Sequence, residues 1–285
     1  MVTNSNLATG KDREFLFTEQ DFKFIVSLVG ERTGIVLSDS KREMVYSRLT
    51  RRIRELKIGD FKAYCKLLRN GDPNELINFT NAITTNLTSF FREPHHFDYL
   101  AAKVLGEMKT KQVRKQLRIW SAGCSSGEEP YTLAMIVREI FPESSGWDVK
   151  ILATDLDTNM VANAKRGVYL AERVNGIDKR RLHRWFVKGK GEHEGKVKVK
   201  KELQDIISFK QLNLLDDWPI THKMDVIFCR NVVIYFNKET QKVLFDRYAD
   251  QLIDQGNLFI GHSESLHSVT DRFQLIGKSM YQKIS

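Results

Sequence analysis

The feature that most constrains this chain is a change of pattern along its length. From Gln116 onward, short apolar segments typical of strands alternate with amphipathic segments typical of helices. This alternation indicates a parallel sheet whose strands are joined by crossover helices. The predicted strands are 117–121, 149–154, 206–210, 225–229, 257–261 and 281–284, and the predicted helices are 129–140, 159–165 and 238–253. We therefore expect an α/β domain there.

The preceding residues are typical of helices, because apolar residues recur three and four positions apart. Capping residues mark the breaks, and Gly34 and Gly59 stand where the first two helices end. The predicted helix starts are Thr18 with Asp21, Ser40 with Glu43, Asp60, and Asp72 with Pro73. The first part of the chain is predicted to be a small helical domain.

Composition limits the class of protein. The chain has 285 residues, 41% hydrophobic and 28% charged, which predicts about two globular domains. Three widely spaced cysteines fit a reducing cytoplasm better than a disulfide framework. We find no apolar run long enough to span a bilayer and no signal-peptide stretch, so we expect a cytoplasmic protein without direct membrane insertion.

Residues 166–204 interrupt the strand–helix alternation with a short helix at 179–185, a glycine-bearing turn and the alternating run 196–200. This pattern predicts an inserted β-hairpin subdomain. The predicted organisation is a disordered tail at 1–14, a helical substrate-recognition domain at 15–90, a linker and connecting helix at 91–115, and a Rossmann-like domain at 116–285 that contains the insertion.

The segment WSAGCSSGEEPY, residues 120–131, predicts a strand, a glycine turn and a helix, which is where doubly wound sheets bind cofactors. Its glycine spacing is neither GxGxxG nor a phosphate loop. Glu128 and Glu129 stand where a pyrophosphate needs bare amides and a positive helix end. The turn therefore favours a cationic ligand, unless both carboxylates merely stabilise the helix N-terminus.

Asp155 ends the next predicted strand and can accept hydrogen bonds from both hydroxyls of a ribose. A nucleoside that carries positive charge and no phosphate describes S-adenosylmethionine. The alternative is that Asp155 only caps a helix.

Four segments make the chain resemble the CheR family of chemoreceptor methyltransferases. They are TTNLTSFFREPHHF (84–97), WSAGCSSGEEPY (120–131), FCRNVVIYF (228–236) and GHSE (261–264), in the family order. The resemblance extends from about Phe15 to the end of the chain. It implies a protein-glutamate O-methyltransferase that uses S-adenosylmethionine, releases S-adenosylhomocysteine and esterifies glutamates of chemoreceptor cytoplasmic helices in chemotactic adaptation.

The same resemblance implies the site residues. Arg92 and Tyr235 would lie beside the transferred methyl group as the catalytic pair. The implied cofactor-binding residues are Asn86, Thr88, Arg92, Glu129, Asp155, Asn213, Leu214, Arg230 and Asn231. From the residues alone, a salt bridge for Arg92 and a core ring for Tyr235 are favoured over the catalytic roles.

The net charge of +9 indicates an acidic partner. Residues 41–57 hold seven basic and two acidic residues, net +5, and the resemblance assigns this helix to substrate recognition through Arg42, Arg48, Arg51 and Arg52. Residues 179–201 hold ten basic and two acidic residues, net +8. In part of the family this insertion docks a receptor C-terminal tail. Solvated faces and a protected sheet edge are the alternatives.

Other functions are less well supported. A nucleic-acid methyltransferase suits the basic balance, but enzymes that methylate base nitrogens often carry Asn/Asp-Pro-Pro-Tyr/Phe after the fourth strand, where this chain has Cys229-Arg230-Asn231-Val232. We therefore expect no nucleic-acid partner. A noncatalytic S-adenosylmethionine-binding module is a third hypothesis. His95 and His96 suggest a metal, but adjacent helical residues diverge by about 100°, so none is expected.

Overall fold

A computed structural model describes residues 13–111 and 114–285 and divides the chain into two compact units. The first unit comprises the described residues up to Arg32 together with Val36–Ile83. The second comprises Thr33–Ile35 and Thr84–Ser285, so the division falls earlier than the boundary expected at residue 90. The tail predicted at 1–14 lies almost entirely outside the described residues.

The first unit is helical, as the sequence predicts. Its helices are α1 (Glu19–Thr33), α2 (Arg42–Glu55), α3 (Phe61–Arg69) and α4 (Pro73–Ile83). Thr18 and Asp21 exchange hydrogen bonds between side chain and backbone N–H, 3.0 and 3.1 Å long, which is the predicted capping box. Asp60 accepts the Ala63 N–H at 2.7 Å and so caps α3.

The predicted cap at Ser40 is wrong. A short 3₁₀ turn, Asp39–Lys41, precedes α2, and the helix begins only at Arg42. Lys41 therefore takes the N-cap position without a side-chain cap, and the Ser40 hydroxyl bonds to Ser38 at 2.8 Å. The 3₁₀ turn therefore contains Ser40, the residue that the sequence predicts as the cap of α2.

The second unit is built on a twisted central sheet. Its strands are β1 (Gln116–Ala122), β2 (Asp148–Asp155), β6 (Ile207–Gln211), β7 (Met224–Cys229), β8 (Leu252–Ile260), β9 (Phe273–Gly277) and β10 (Met280–Lys283). The order is β6-β2-β1-β7-β8-β10-β9, and β10 runs antiparallel to both of its neighbours, β8 and β9. The order reverses between β1 and β7, which is where doubly wound sheets bind ligands.

Helices cover both faces of this sheet. The helices of the second unit are α5 (Pro94–Tyr99), α6 (Gly106–Lys111), α7 (Glu128–Ile140), α8 (Thr158–Arg166), α9 (Lys179–Trp185), α10 (Lys201–Gln204) and α11 (Lys238–Gln251), with a π-helical turn at Leu100–Leu105. Alternate strand residues enter two separate apolar clusters, so that Val226 and Phe228 pack with α7 while Ile227 and Cys229 pack with α11. None of the helices in the described ranges is both long and apolar enough to cross a bilayer.

The insertion forms its own antiparallel sheet of three strands rather than the predicted hairpin. Its strands are β3 (Val168–Leu170), β4 (Phe186–Lys188) and β5 (Lys196–Val199), in the order β3-β5-β4. Apart from this difference, the predicted fold class is confirmed: a helical domain precedes a Rossmann-like domain with an inserted β subdomain.

Candidate active site

The carboxyl ends of the parallel strands lie at one edge of the sheet. The register pairs Ala122 with Thr154, Asp155 with Gln211 and Cys229 with Ile260. The residues after these ends are therefore neighbours in space, although they are far apart in sequence. Most of the predicted site residues lie at this edge.

The turn after β1 needs glycine at its first position. Gly123 has φ +92°, and an added Cβ would lie 2.4 Å from the Val232 side chain. The N–H groups of Gly123 and Cys124 both donate to the Thr154 carbonyl at 2.8 Å, which closes the turn against β2. The turn is therefore packed closely against Val232 and β2, with no room for a side chain at position 123.

Asp155 ends β2 with its side chain nearly buried, at 9% exposure. Its Oδ2 accepts the Ser125 N–H at 2.7 Å and its Oδ1 accepts the Asp157 N–H at 2.9 Å. Burial raises the pKa of Asp155 to about 6, even though these hydrogen bonds lower it. Each carboxylate oxygen has a second lone pair, so the group can accept further hydrogen bonds.

The two glutamates that begin α7 face different partners. Glu129 accepts the Ser121 hydroxyl at 2.7 Å and pairs with Arg230 at 3.2 Å, and burial raises its pKa. Glu128 is fully buried and pairs with Arg173 of the insertion. Glu128 therefore serves an internal ion pair, and of the two only Glu129 contacts residues at the strand ends.

Arg230, directly after β7, binds two acidic side chains and one backbone carbonyl of the site. Its side chain is only 3% exposed and lies 3.3 Å from Glu93 Oε2 and 3.2 Å from Glu129 Oε2. It also donates to the Arg92 carbonyl. Burial works to raise the pKa of Glu93, but hydrogen bonding from His262 and the charge of Arg230 lower it on balance.

The segment that carries Arg92 is held in a strained conformation. Phe91 and Glu93, on either side of Arg92, have φ +53° and +58°, a region that non-glycine residues seldom adopt. Such strain persists only where the surroundings enforce it. Here the Arg230 bond to the Arg92 carbonyl and the Arg92 Nη1 bond to the Leu87 carbonyl, 2.8 Å, fix the half-buried Arg92.

Asn86 and Thr88 hold this segment in place. The Asn86 amide donates to Asp157 Oδ2 at 2.8 Å, and the Ser125 hydroxyl donates to the Asn86 carbonyl at 3.1 Å. The Thr88 carbonyl accepts from Arg173 at 3.0 Å. These hydrogen bonds connect the segment that carries Arg92 to the turn after β1 and to the insertion, so its position depends on both.

Asn213 and Leu214 follow β6, next to Asp155. The Leu212 N–H donates to the Asp155 carbonyl at 3.0 Å, which brings this loop to the β2 end. The Asn213 side chain accepts the Leu215 N–H at 3.2 Å, and the Leu214 side chain is buried. Both residues thus lie at the predicted edge.

Asn231 and Tyr235 lie on the loop after β7. Asn231 has φ +58°, and Tyr235 ends the 3₁₀ turn Val233–Tyr235 with a half-buried side chain. The Asn231 N–H donates to Glu264 Oε2 at 2.9 Å. The loop therefore has a fixed shape where two predicted site residues stand.

The expectation that His95 and His96 diverge is wrong. Their ring centroids lie 4.2 Å apart, and Glu93, His95 and His96 each offer a ligand atom within 4.8 Å of the others. The Arg230 guanidinium, 3.3 Å from Glu93 Oε2, already balances the carboxylate and opposes a second cation. Burial and the Arg230 charge lower the pKa of His96 to about 4.

In the first unit, the four predicted substrate-binding arginines differ in surroundings. Arg42 pairs with Glu19 and lies over the Phe17 ring, and Arg48 donates to the Ile83 carbonyl. Arg52 lies between Glu55 and the buried Glu75 with its side chain 18% exposed. Arg51 is 81% exposed and pairs with Glu55 at 3.1 Å. Of the four, Arg51 is the one most open to a partner.

Sequence reasoning missed Glu93, Arg173 and Glu264 as individual residues of the site. Glu93 and Glu264 lie in the recognised segments 84–97 and 261–264, which is a signal that could have nominated them. Arg173 lies in the insertion, and nothing in its local sequence points to Glu128. Its role depends on a tertiary contact.

These features fit a nucleoside with a positive charge. Asp155 offers carboxylate lone pairs at the strand end, and Glu129, which pairs with Arg230, adds a second carboxylate at the same edge. The Asp155 carboxylate opposes a phosphate group. The residues present therefore suit S-adenosylmethionine.

Comparison with known proteins agrees with this geometry. Residues 86–282 match the family model "CheR methyltransferase, SAM binding domain", and residues 20–84 match "CheR methyltransferase, all-alpha domain". The chain is 42% identical over 99% of both chains to chemotaxis protein methyltransferase 2 of Pseudomonas aeruginosa. It is 41% identical to the chemotaxis protein methyltransferase of Escherichia coli, covering 93% of this chain and 91% of that one. The chain thus belongs to the CheR methyltransferase family, and S-adenosylmethionine is its cofactor.

Proposed function

We propose that this enzyme methylates glutamate side chains on the cytoplasmic helices of bacterial chemoreceptors, forming γ-carboxyl methyl esters and S-adenosylhomocysteine. The observation that carries the proposal is the match of nearly the whole chain to curated chemotaxis protein methyltransferases. The enzyme then acts in the cytoplasm during chemotactic adaptation.

The cofactor pocket in this proposal lies at the carboxyl edge of the sheet. Asp155 accepts hydrogen bonds from the ribose hydroxyls on the lone pairs that its two backbone donors do not use. Leu214 supplies apolar surface. Glu129 and Arg230 shape the pocket as a buried ion pair. The remaining cofactor contacts are Asn86, Thr88, Arg92, Asn213 and Asn231.

The chemistry needs alignment rather than a base. When bound, S-adenosylmethionine supplies an electrophilic methyl group on a sulfonium. A glutamate with a reference pKa of about 4.3 is already ionised at pH 7, so no residue has to remove a proton. Arg92 and Tyr235 orient the carboxylate oxygens of the substrate. Because a carboxylate and a sulfonium become neutral products, exclusion of water favours the transition state.

Arg92 suits an orienting role because its backbone is fixed on both sides. Phe91 and Glu93 hold left-handed conformations, and Arg230 bonds the Arg92 carbonyl. A guanidinium has five N–H donors, and Nη1 directs one to the Leu87 carbonyl. The planar group can present other donors to a carboxylate.

Receptor recognition in this proposal uses the basic helix α2. A chemoreceptor methylation region carries rows of glutamates on helices and so offers the opposite charge. Arg51 contributes most directly because of its exposure, whereas Arg42, Arg48 and Arg52 also stabilise the helical unit. Electrostatic attraction of this kind acts mainly on association.

A receptor tail docks on the insertion in the same proposal. One face of its sheet exposes Val168 and Leu170 on β3 and Val187 on β4. Lys196 and Lys198 of the central strand β5 lie between them, since the register places these side chains on the same side. An acidic peptide with apolar side chains fits this face, and a sheet edge can accept an added strand. Docking would raise the local receptor concentration.

Tail docking is tested with a fluorescent acidic tail peptide. Val187→Asp should weaken binding at least tenfold, while Leu275→Asp, an equally exposed aliphatic on β9 of the large sheet, should leave binding unchanged. Equal loss in both variants would reject the insertion as the docking surface.

Methyl transfer is tested with labelled S-adenosylmethionine, a chemoreceptor cytoplasmic fragment and RNA in parallel. We expect label on the receptor that mild base releases as methanol. Label only on RNA would favour the nucleic-acid alternative, and an alkali-stable protein label would reject the ester. No transfer to any acceptor, with cofactor still bound, would favour the noncatalytic module.

A further inference from the structure

Glu264 lies four residues after β8 ends, in the GHSE segment, and has no part in the function proposed above. Its side chain is buried, with the residue 7% exposed. A carboxylate that is taken out of water needs hydrogen-bond donors around it. The hydrogen-bond donors around the Glu264 carboxylate therefore indicate which part of the site it holds.

The described donors to Glu264 are backbone N–H groups. Oε2 accepts from Asn231 at 2.9 Å and from Gly261 at 2.5 Å, and Oε1 accepts from Ile234 at 3.3 Å. Two of these three donors belong to the loop after β7. The carboxylate therefore fastens that loop to the end of β8.

The fastened loop is the one between Arg230 and Tyr235. Asn231 is held at φ +58°, and Ile234 lies within the turn that ends at Tyr235. Glu264 thus binds the loop at Asn231, directly after the buried Arg230, and at Ile234, directly before Tyr235. Charge-assisted hydrogen bonds of this kind are stronger than neutral ones, so they suit a loop that must keep an unusual shape.

The close approach of Gly261 shows how tightly the two segments fit. An added Cβ at Gly261 would lie 2.4 Å from the side-chain amide nitrogen of Asn231. The opposite side of the loop is equally confined, because Val232 packs where a Cβ of Gly123 would stand. The loop is therefore packed from both sides.

We propose that Glu264 is a positioning residue for methyl transfer, which fixes the loop that presents Arg230, Asn231 and Tyr235 to the cofactor and the substrate carboxylate. It touches neither reactant and acts through the backbone that it binds. This inference rests on the proposed function of the same site. Because misplacement by about 1 Å can cost about 10²-fold in rate, the effect should be large.

The test uses the full chain with Glu264→Gln. Glutamine keeps the size but turns one acceptor into an N–H₂ donor that faces backbone donors. We expect kcat with a receptor fragment to fall about 10²-fold and cofactor affinity to fall a few-fold, with the receptor KM nearly unchanged. Isothermal titration and initial rates measure these quantities.

Asp225→Asn is the matched control. Asp225 is also a buried carboxylate, at the opposite end of β7, where it accepts the Arg118 N–H at 2.7 Å and pairs with Arg114 at 2.6 Å. This variant should lose thermal stability but keep kcat within about threefold. Equal kcat loss in both variants would show that Glu264 is only structural and would overturn the proposal.

Gly261→Ala provides a second variant that keeps the carboxylate and displaces Asn231. It should reproduce the kcat loss, and it replaces Glu264→Gln if that variant does not fold. Wild-type kcat in either folded variant overturns the positioning role while leaving the proposed function intact. A wild-type enzyme without receptor esterification overturns the proposed function instead.

Discussion

Replacing Arg52 by glutamine should destabilise the helical unit specifically. Arg52 binds Glu75 through Nε at 3.2 Å and Nη2 at 2.6 Å, and the Tyr64 hydroxyl donates to the same carboxylate at 2.7 Å. The Glu75 side chain is 5% exposed. Without Arg52, this buried carboxylate keeps one neutral donor and loses its counter-charge.

The size of the loss is bounded in two ways. Breaking a buried pair by removing one partner costs about 3–5 kcal/mol. Alternatively, the carboxyl takes up a proton, which at pH 7 costs about 3.7 kcal/mol for a reference pKa of about 4.3. Solvent reaches the Arg52 side chain, which is 18% exposed, so we expect the free energy of unfolding to fall by about 2–4 kcal/mol.

The proton route also fixes the pH dependence. A carboxyl that is harder to ionise in the folded variant than in the unfolded chain lowers stability more as the pH rises. The cost of protonation falls to about 1 kcal/mol at pH 5. The difference between wild type and Arg52→Gln should therefore shrink from pH 7 to pH 5.

Hydrogen exchange of peptides from α2 and α4 measures the loss locally. The four tryptophans, at positions 120, 147, 185 and 218, all lie in the second unit, so their fluorescence reports that unit separately. Its unfolding midpoint should not move. Arg51→Gln is the control, because an exposed pair contributes about 0–1 kcal/mol. A loss below about 1 kcal/mol in Arg52→Gln, or one independent of pH, would refute the reasoning.

Three further predictions concern recognition and the cofactor. Arg51→Glu should raise the receptor KM severalfold in methylation assays while the affinity for S-adenosylhomocysteine stays unchanged; a parallel loss of both would mean damage to the fold. Because burial raises the pKa of Asp155 to about 6, cofactor affinity should fall up to tenfold per pH unit below that value, and titration calorimetry of Asp155→Asn should show a weak, pH-independent affinity. Gly123→Ala should lose about 1–3 kcal/mol and bind cofactor weakly, whereas Gly146→Ala, at φ +72° with open space around it, should lose less in thermal unfolding.

Sequence periodicity located the elements that face the core, because their burial follows a regular period. The predicted strand 117–121 is β1 to within one residue at each end, and helix 179–185 is α9. β9 was missed because it is short and exposes Leu275, so no alternation marks it. β8 begins five residues earlier than predicted, at Leu252, since its first part carries the polar residues Asp254 and Gln255.

The candidate site was predictable where local pattern sufficed. Strand ends and the glycine turn pointed to Asp155 and Glu129, and both lie at the carboxyl edge. The contacts of Arg173 and Glu264 join segments 45 and 33 residues apart, and local sequence does not encode them. Chain topology decides which charged side chains meet.

Topology also redistributes the positive charge that the sequence emphasises. Arginines of the two basic regions hold the fold: Arg52 binds Glu75, and Arg181 binds Glu139 at 2.9 and 2.8 Å while it lies over the Phe91 ring. The planar guanidinium suits such two-pronged pairing, whereas an ammonium stays hydrated. The exposed cations of the insertion are mostly lysines, namely Lys179, Lys188, Lys190, Lys196 and Lys198, together with Lys201, which pairs with Asp205 at 2.8 Å.

The paired arginines therefore stabilise the fold, whereas the exposed lysines attract an acidic partner. The exposed lysines project a field that salt screens over about 8–10 Å, so it governs encounter with an acidic partner rather than the bound geometry. The paired arginines contribute little to that field because carboxylates neutralise them. The count of basic residues alone therefore overstates the basic surface, because each internal ion pair removes one cation and one anion and leaves the net charge of +9 unchanged.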